Sequence, residues 1–297
     1  MIKKISDSRY LYALLALPII YFLIFEYGPM IGVLIAFKNY NAIKGIWASD
    51  WVGLKYFNQF LFDPYFWKLV RNTIILNIYM IIFYFPLPII LALMLNEVRR
   101  HVFKRFVQTI SYLPYFLSTV VICGMLVNFL TTKGMVNQLI VFFGGQPINF
   151  LLEADWFRTI YVASEIWQNV GWGSIIYLAA LTGVEPDQYE AAKIDGANRW
   201  KQMIHVTLPG IAPVITIMFL LNLGNILKIG FEKILLLYTG PTYETADVIS
   251  TYVFRRGLIN ADFSYASAVG LFQSVIILLF ITLANYTARK VSETSLW

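Results

Sequence analysis

Apolar runs of roughly 20 residues, the length that crosses a hydrocarbon core as helix, recur six times along the chain, with polar residues collected between them. The pattern predicts spans at approximately 10–35, 72–95, 109–130, 157–182, 211–230 and 265–286. The first run follows Lys3, Lys4 and Arg9. It is too long for the apolar stretch of a signal peptide and leads into Phe37-Lys38 instead of a small-residue cleavage site, so it is expected to stay as the first span. Prolines break several spans, at Gly28-Pro29, at Pro86 and Pro88, and at Pro114. Proline removes a backbone donor and kinks a helix, and in lipid the freed carbonyls need partners from neighbouring helices.

Six spans place both termini on one side. Lysine and arginine in the short connections decide which side. Lys3, Lys4 and Arg9, then Arg99, Arg100, Lys104 and Arg105, then the 184–210 loop, then Arg289 and Lys290 all fall on one face, which is expected to be cytoplasmic. The other face receives three longer connections, 37–71, 131–156 and about 231–264, with turns at Asp63-Pro64, Gly144-Gly145 and Gly240-Pro241. Trp47, Trp51, Trp67 and Trp156 lie there and suit an interfacial aromatic belt. No linker, low-complexity tract or repeat divides residues 1–297, which read as one all-α membrane domain.

Composition agrees with that pattern and removes other classes. The chain is 59% hydrophobic and 13% charged, with a mean hydropathy of +0.65, outside the balance of a soluble domain. A net charge of +6 sits in clusters beside the spans and not along one polar face, which orients a membrane protein and does not suggest nucleic acid. Cys123 is a single cysteine within an apolar run, and His101 and His205 are far apart with no HExxH spacing, so no metal or disulfide site is expected. No GxxxxGK[ST] occurs, nor any Gly-Lys dipeptide, so a phosphate-binding loop is absent and any energy from ATP must come through a partner.

The loop YEAAKIDGANRWKQMIHVTLPGI, Tyr189 to Ile211, interrupts the grease. Val184-Glu185-Pro186-Asp187 reads as a helix start, with Pro186 near the first position and Asp187 and Glu190 where they complement the helix dipole. Ala192, Gly196 and Trp200 recur at i, i+4 and i+8, so one face is expected to carry two minimal side chains beside an aromatic. Asp195-Gly196 favours a bend, and Leu208 before Pro209 is biased away from helix, with Pro213 able to start the next span. The expectation is two short helices with a bend, parallel to the membrane. By pattern alone this is either an amphipathic interfacial helix with solvated charges or a surface for close approach.

The residues Glu190-Ala191-Ala192, Asp195-Gly196-Ala197, Ile204 and Leu208-Pro209 resemble the EAA motif of binding-protein-dependent ABC importer permeases, the type I, maltose-permease-like fold. The segments FKRFVQTISYLPYF, EIWQNVGWGSIIYLAAL, GNILKIGFEKILLLY and TYVFRRGLINADFSYASAVGLF are similar to the LplB-type carbohydrate subgroup, and the likeness covers essentially the whole chain. The resemblance implies a permease without catalysis of its own, in the cytoplasmic membrane of a prokaryote, importing an oligosaccharide or polysaccharide fragment. It further implies a second homologous permease, two copies of a cytoplasmic ATPase that binds ATP and Mg, and an extracytoplasmic solute-binding protein. On this reading Glu190 is a polar anchor, Ala191 and Ala192 a close-packing surface and Gly196 the bend of a coupling helix. Asp195, Ala197, Trp200, Leu208 and Pro209 complete the ATPase-coupling motif.

Polar residues inside spans are expensive and default to function. Trp167, Gln168, Asn169 and Trp172 in the fourth span, beside Glu165, and Asn222, Asn225 and Lys228 in the fifth form a candidate substrate path. Amides offer hydrogen bonds to sugar hydroxyls and tryptophans offer flat apolar faces, although amides also serve interhelical bonding. Lys228 has three possible settings: a watery cavity, a pair with Glu232, or snorkelling. Arg255-Arg256 fits either docking of the binding protein or a solvated turn. An ion-gradient-driven transporter is the alternative function. Its signature of inverted repeats and a buried carboxylate path is missing, since Glu26, Glu165 and Glu232 lie near different span ends.

Overall fold

The structure, a computed structural model, describes residues 9–226 and 230–292. In chain order the principal elements are α1 (Arg9–Phe22), β1 (Lys38–Asn39), β2 (Asp50–Trp51), α2 (Lys55–Leu61), α3 (Phe66–Tyr79), α4 (Pro86–Glu97), α5 (His101–Tyr112), α6 (Thr119–Leu130) and α7 (Met135–Phe142). There follow α8 (Ala154–Leu181), α9 (Pro186–Ile194), α10 (Arg199–Gln202), α11 (Leu208–Ile226), α12 (Phe231–Leu237) and α13 (Phe263–Ser292). Among the described residues, five helical stretches are long and apolar enough to cross a membrane: Leu14–Phe37, Phe66–Glu97, Thr119–Phe142, Arg199–Leu223 and Phe263–Lys290. The remaining expected span is α8, one helix of 28 residues, about 42 Å long at 1.5 Å per residue. It is less apolar than those five, with Glu165, Gln168 and Asn169 together in the middle of the helix.

The prolines act through the turns in front of them. Wide π turns occupy Leu23–Tyr27 before Pro29, Met80–Tyr84 before Pro86 and Met203–Thr207 before Pro209. A proline ring clashes with the carbonyl four residues back, and a turn wound one residue wider relieves that clash while the helix continues. The wider bond is visible at Phe85, whose N–H donates to Met80 O at 3.0 Å. Pro114 instead sits in a 3-10 turn, Leu113–Phe116. The third expected span, 109–130, is therefore broken: α6 starts afresh at Ser118, whose hydroxyl caps Val121 N–H at 3.3 Å. It turns again at Gly134, where a Cβ would lie 2.4 Å from Phe129 O.

The chain forms two compact units. The smaller takes the residues up to Phe66 and Val253–Ser274. It holds the two-residue β1/β2 ladder, with Lys38 opposite Trp51 and Asn39 opposite Asp50, and an aromatic knot around buried Phe60, which meets Phe66, Tyr265 and Phe272 edge to face. Tyr265 donates to Asp63 at 3.0 Å. Arg256, expected either to dock a partner or to be solvated, pairs with Asp262 at 3.2 Å and lies over the Tyr265 ring at 4.7 Å.

The larger unit, the described residues of Trp67–Tyr252 and those from Val275 onward, is organised around α8. One apolar cluster gathers Leu76, Cys123, Phe157, Tyr161, Ile234 and Val248. A second joins Ile89 and Ala92 of α4 to Tyr177 and Leu181 of α8 and Ile211 of α11. Where α8 passes α5, Gly171 is obligatory, because a Cβ there would sit 2.0 Å from Ser111 O. The second expected span begins six residues earlier than its apolar run, at Phe66. Its polar first turns are held by a clasp: Lys68 and Arg71 pair with Glu244 at 2.8 and 2.7 Å, and buried Asn72 donates to Glu244 O and Asp247 O while accepting from Arg158.

Candidate functional site

The 184–210 loop is built from three backbone devices. Helix α9 opens with Pro186 at its first turn and Asp187 beside it. It closes at Asp195 with Gly196 at φ +76. Gly196 N–H donates to Lys193 O at 3.0 Å and Ala197 N–H to Ala192 O at 2.8 Å, the two crossed bonds of a Schellman end. A Cβ on Gly196 would meet nothing within 4 Å, so the backbone angle and not space demands glycine. Asn198 then caps α10 by accepting from Lys201 N–H at 2.9 Å.

From Arg199 the chain stays helical through α10, the π turn and α11, with Leu208 itself in helical geometry. Two expectations are corrected here. The second short helix is not separate and Pro213 does not start the span: the loop's second half is the beginning of the apolar stretch Arg199–Leu223, because the π turn absorbs Pro209. Nor do Ala192, Gly196 and Trp200 share one helical face, since the left-handed residue at 196 ends the helix between them.

The loop's outer surface is instead an irregular patch. Glu190, Ala191, Asp195 and Gly196 are exposed, Ala192 and Ala197 half-buried, and Ile194 and Trp200 stand 87% and 65% exposed. Leu208 is half-buried and Pro209 exposed. Beneath that patch the loop is tied down. The Tyr189 hydroxyl shares a hydrogen bond with buried Thr207 at 3.0 Å, and Arg199 pairs with Glu97, the last residue of α4, at 3.0 Å. Beside this pair lies an open cavity of about 570 Å³ lined by Glu97, Arg99, Lys193 and Arg199 among others.

Glu165, Gln168, Asn169 and Trp172 fall at i, i+3, i+4 and i+7 of α8, one helical stripe. Trp172 stacks on Tyr115 with ring centres 4.4 Å apart and nearly parallel. Trp167 lies off that stripe, on the wall of an apolar cavity of about 400 Å³ with Leu126, Phe150 and Trp156. Asn169 donates to Glu165 Oε2 at 2.9 Å. The centre of the cluster is a residue the apolar pattern hid. Lys233, in the first turn of α12, is 2% exposed, donates to Glu165 Oε1 at 2.8 Å and to Gln168 Oε1 at 2.7 Å. Its signal was a cation embedded in FEKILLLY, read as part of an outer connection.

Gly230 completes the approach. Its N–H donates to the Tyr161 hydroxyl at 3.1 Å, and a Cβ there would lie 3.0 Å from that hydroxyl and 3.5 Å from Glu165 Oε1. In α11 Asn222 donates back to Met218 O at 2.8 Å, the helix-internal bond of an amide that serves packing. Asn225 lies in α11, and Lys228 falls outside the described residues.

The family described as binding-protein-dependent transport system inner membrane component matches residues 84–293. The chain belongs to that family. The polygalacturonan/rhamnogalacturonan transport system permease protein YteP of Bacillus subtilis is 45% identical over 298 aligned residues, covering all of this chain and 93% of YteP. Protein LplB of the same organism is 46% identical over 99% of this chain and 92% of its own. Among solved structures, a bacterial ABC transporter involved in the import of the acidic polysaccharide alginate superposes with a TM-score of 0.92 at 43% identity, covering 98% of both chains. The protein is thus the multi-pass permease of a carbohydrate ABC importer, and its function is conduction, not catalysis.

Proposed function

We propose that this permease is one of two homologous membrane subunits of a type I importer in a prokaryotic cytoplasmic membrane, taking up oligosaccharides that carry carboxylates. The single domain crosses six times with both termini cytoplasmic, α8 being the fourth span. Two copies of a cytoplasmic ATPase hold ATP and Mg, this chain holding neither, and an extracytoplasmic binding protein delivers the sugar. Acidic cargo is supported by the relatives of high identity: polygalacturonan is a polymer of uronic acid, and alginate is acidic.

The carrying observation is the 184–210 loop, where exposed Ile194 and Trp200 flank a rigid bend that continues as helix into the fifth span. Apolar side chains exposed on a polar loop mark a docking surface. Helical continuity turns a displacement of that surface into a displacement of the span. Glu190, Ala191, Ala192, Asp195, Gly196, Ala197 and Trp200 present the surface to the ATPase, and Leu208-Pro209 pass the motion on. In the reconstituted complex, Ala192→Arg and Gly196→Trp are expected to abolish uptake while the subunits still assemble. Unchanged substrate-stimulated ATPase activity and uptake would sink the reading.

A further inference from the structure

We infer that the Lys233–Glu165 pair is a charge-exchange checkpoint that admits carboxylate-bearing sugars and holds back neutral ones, an inference that rests on the acidic-cargo reading above. A fully buried ammonium within an apolar cluster is costly, and an ion pair in such a place adds no more stability than well-packed apolar side chains would. Packing therefore gives no reason for it. The pair is also unsymmetrical. Lys233 is sealed at 2% exposure whereas Glu165 keeps 16%, so Glu165 is the member that can move.

Glu165 has a second partner besides Lys233. Asn169 already holds its Oε2 at 2.9 Å, and Gln168 keeps Lys233 in place at 2.7 Å after Glu165 turns away. The vacated position on Lys233 requires a negative charge, because a buried ammonium left with only an amide oxygen is penalised. A sugar hydroxyl cannot supply that charge. A uronate carboxylate can, in the same charge-assisted geometry that Glu165 gave up. One to two turns along the same stripe, Asn169 and Trp172, the latter stacked on Tyr115 and 42% exposed, stand where neighbouring hydroxyls and a ring face would lie. The exchange transfers no proton and breaks no covalent bond.

The test is uptake by the complete reconstituted importer of a galacturonate trimer with no methyl ester, or with one or two, at concentrations that saturate the binding protein. The unmodified complex is expected to favour the unesterified trimer. Lys233→Gln should lower the ratio of acidic to esterified uptake at least tenfold, and Lys233→Arg should restore most of it. Glu165→Gln, which removes the competing carboxylate, should lower the KM for the unesterified trimer several-fold and so raise the ratio. A ratio that does not fall in Lys233→Gln, that falls as far in Lys233→Arg as in Lys233→Gln, or that does not rise in Glu165→Gln, overturns the checkpoint while leaving acidic cargo intact. An unmodified complex that takes up neither form but imports a neutral oligosaccharide overturns the cargo reading, and the checkpoint with it.

Discussion

Arg199 Nη1 donates to Glu97 Oε2 at 3.0 Å, and through this pair the first residue of α10 is fastened to the last residue of α4. The loop is covalently continuous with α8 and α11 on either side. The pair adds α4, which already packs with both of them around Ile89, Ala92, Tyr177, Leu181 and Ile211. On the proposed coupling, a push on the loop is thereby shared by three helices and not two.

Reversing one charge should show this. Both side chains are more than half exposed, so the pair contributes at most about 1 kcal/mol to stability. Glu97→Lys is expected to leave the thermal midpoint of the purified complex nearly unchanged while lowering sugar imported per ATP hydrolysed by a few-fold. The exchanged pair Glu97→Lys with Arg199→Glu should recover the ratio in proteoliposomes.

Gly196 makes a graded prediction. Its φ of +76 is a left-handed conformation, which costs a residue with a Cβ about 1–2 kcal/mol. Asparagine tolerates that region better than alanine, and β-branched residues worse. Because a side chain there meets open space within this chain, the thermal stability of the purified permease should follow Gly above Asn above Ala above Val. An order set by side-chain volume instead would contradict the backbone argument.

The clasp at Glu244 predicts acid resistance. Hydrogen bonds from Lys68 and Arg71 hold the Glu244 carboxyl below its ordinary value. A lowered native pKa means that the folded form binds its proton less readily than the unfolded form, so the stabilisation is present above the ordinary glutamate range and disappears as pH falls through the lowered value. The carboxylate is exposed, so the contribution is small and salt-sensitive. Protection factors at residues 244–249, which remove the intrinsic pH dependence of amide exchange, should stay constant from pH 7 to about 5 and fall only in stronger acid. Glu244→Gln should be less protected already at pH 7 and lose the further fall in acid.

These cases show what the sequence can and cannot reveal. The spans are legible because lipid demands long apolar runs, and the loop because charges beside Gly196 have no place in such a run. The bend was legible in Asp195-Gly196, since one backbone angle there decides the structure locally. The joining of α10 to α11 was not, because Pro209 signals a break and only the preceding π turn cancels it. Lys233 was invisible for a different reason. Its partners Glu165 and Gln168 are more than sixty residues away, and a cation next to Glu232 looks solvated until the fold closes over it.

Asn137 is a buried residue whose worth can be measured directly. It is fully buried in α7, where its amide donates to Thr131 O at 2.9 Å and Ile148 O at 2.8 Å, and its carbonyl accepts from Ile148 N–H at 2.7 Å. One side chain thus replaces a strand partner for the chain at Ile148 and stitches it to the turn after α6. Asn137→Leu keeps the volume and removes all three bonds, leaving the N–H and carbonyl of Ile148 without their partner, while Thr131 O keeps the Gly134 N–H at 2.8 Å. Each orphaned buried group costs about 1–3 kcal/mol, so the variant should melt several degrees below the parent in detergent. Asn137→Asp separates shape from donation: it still accepts from Ile148 N–H but turns two carbonyls against a carboxylate. It should therefore be at least as damaging as leucine at pH 7 and partly recover in acid, when the protonated acid can donate one of the lost bonds.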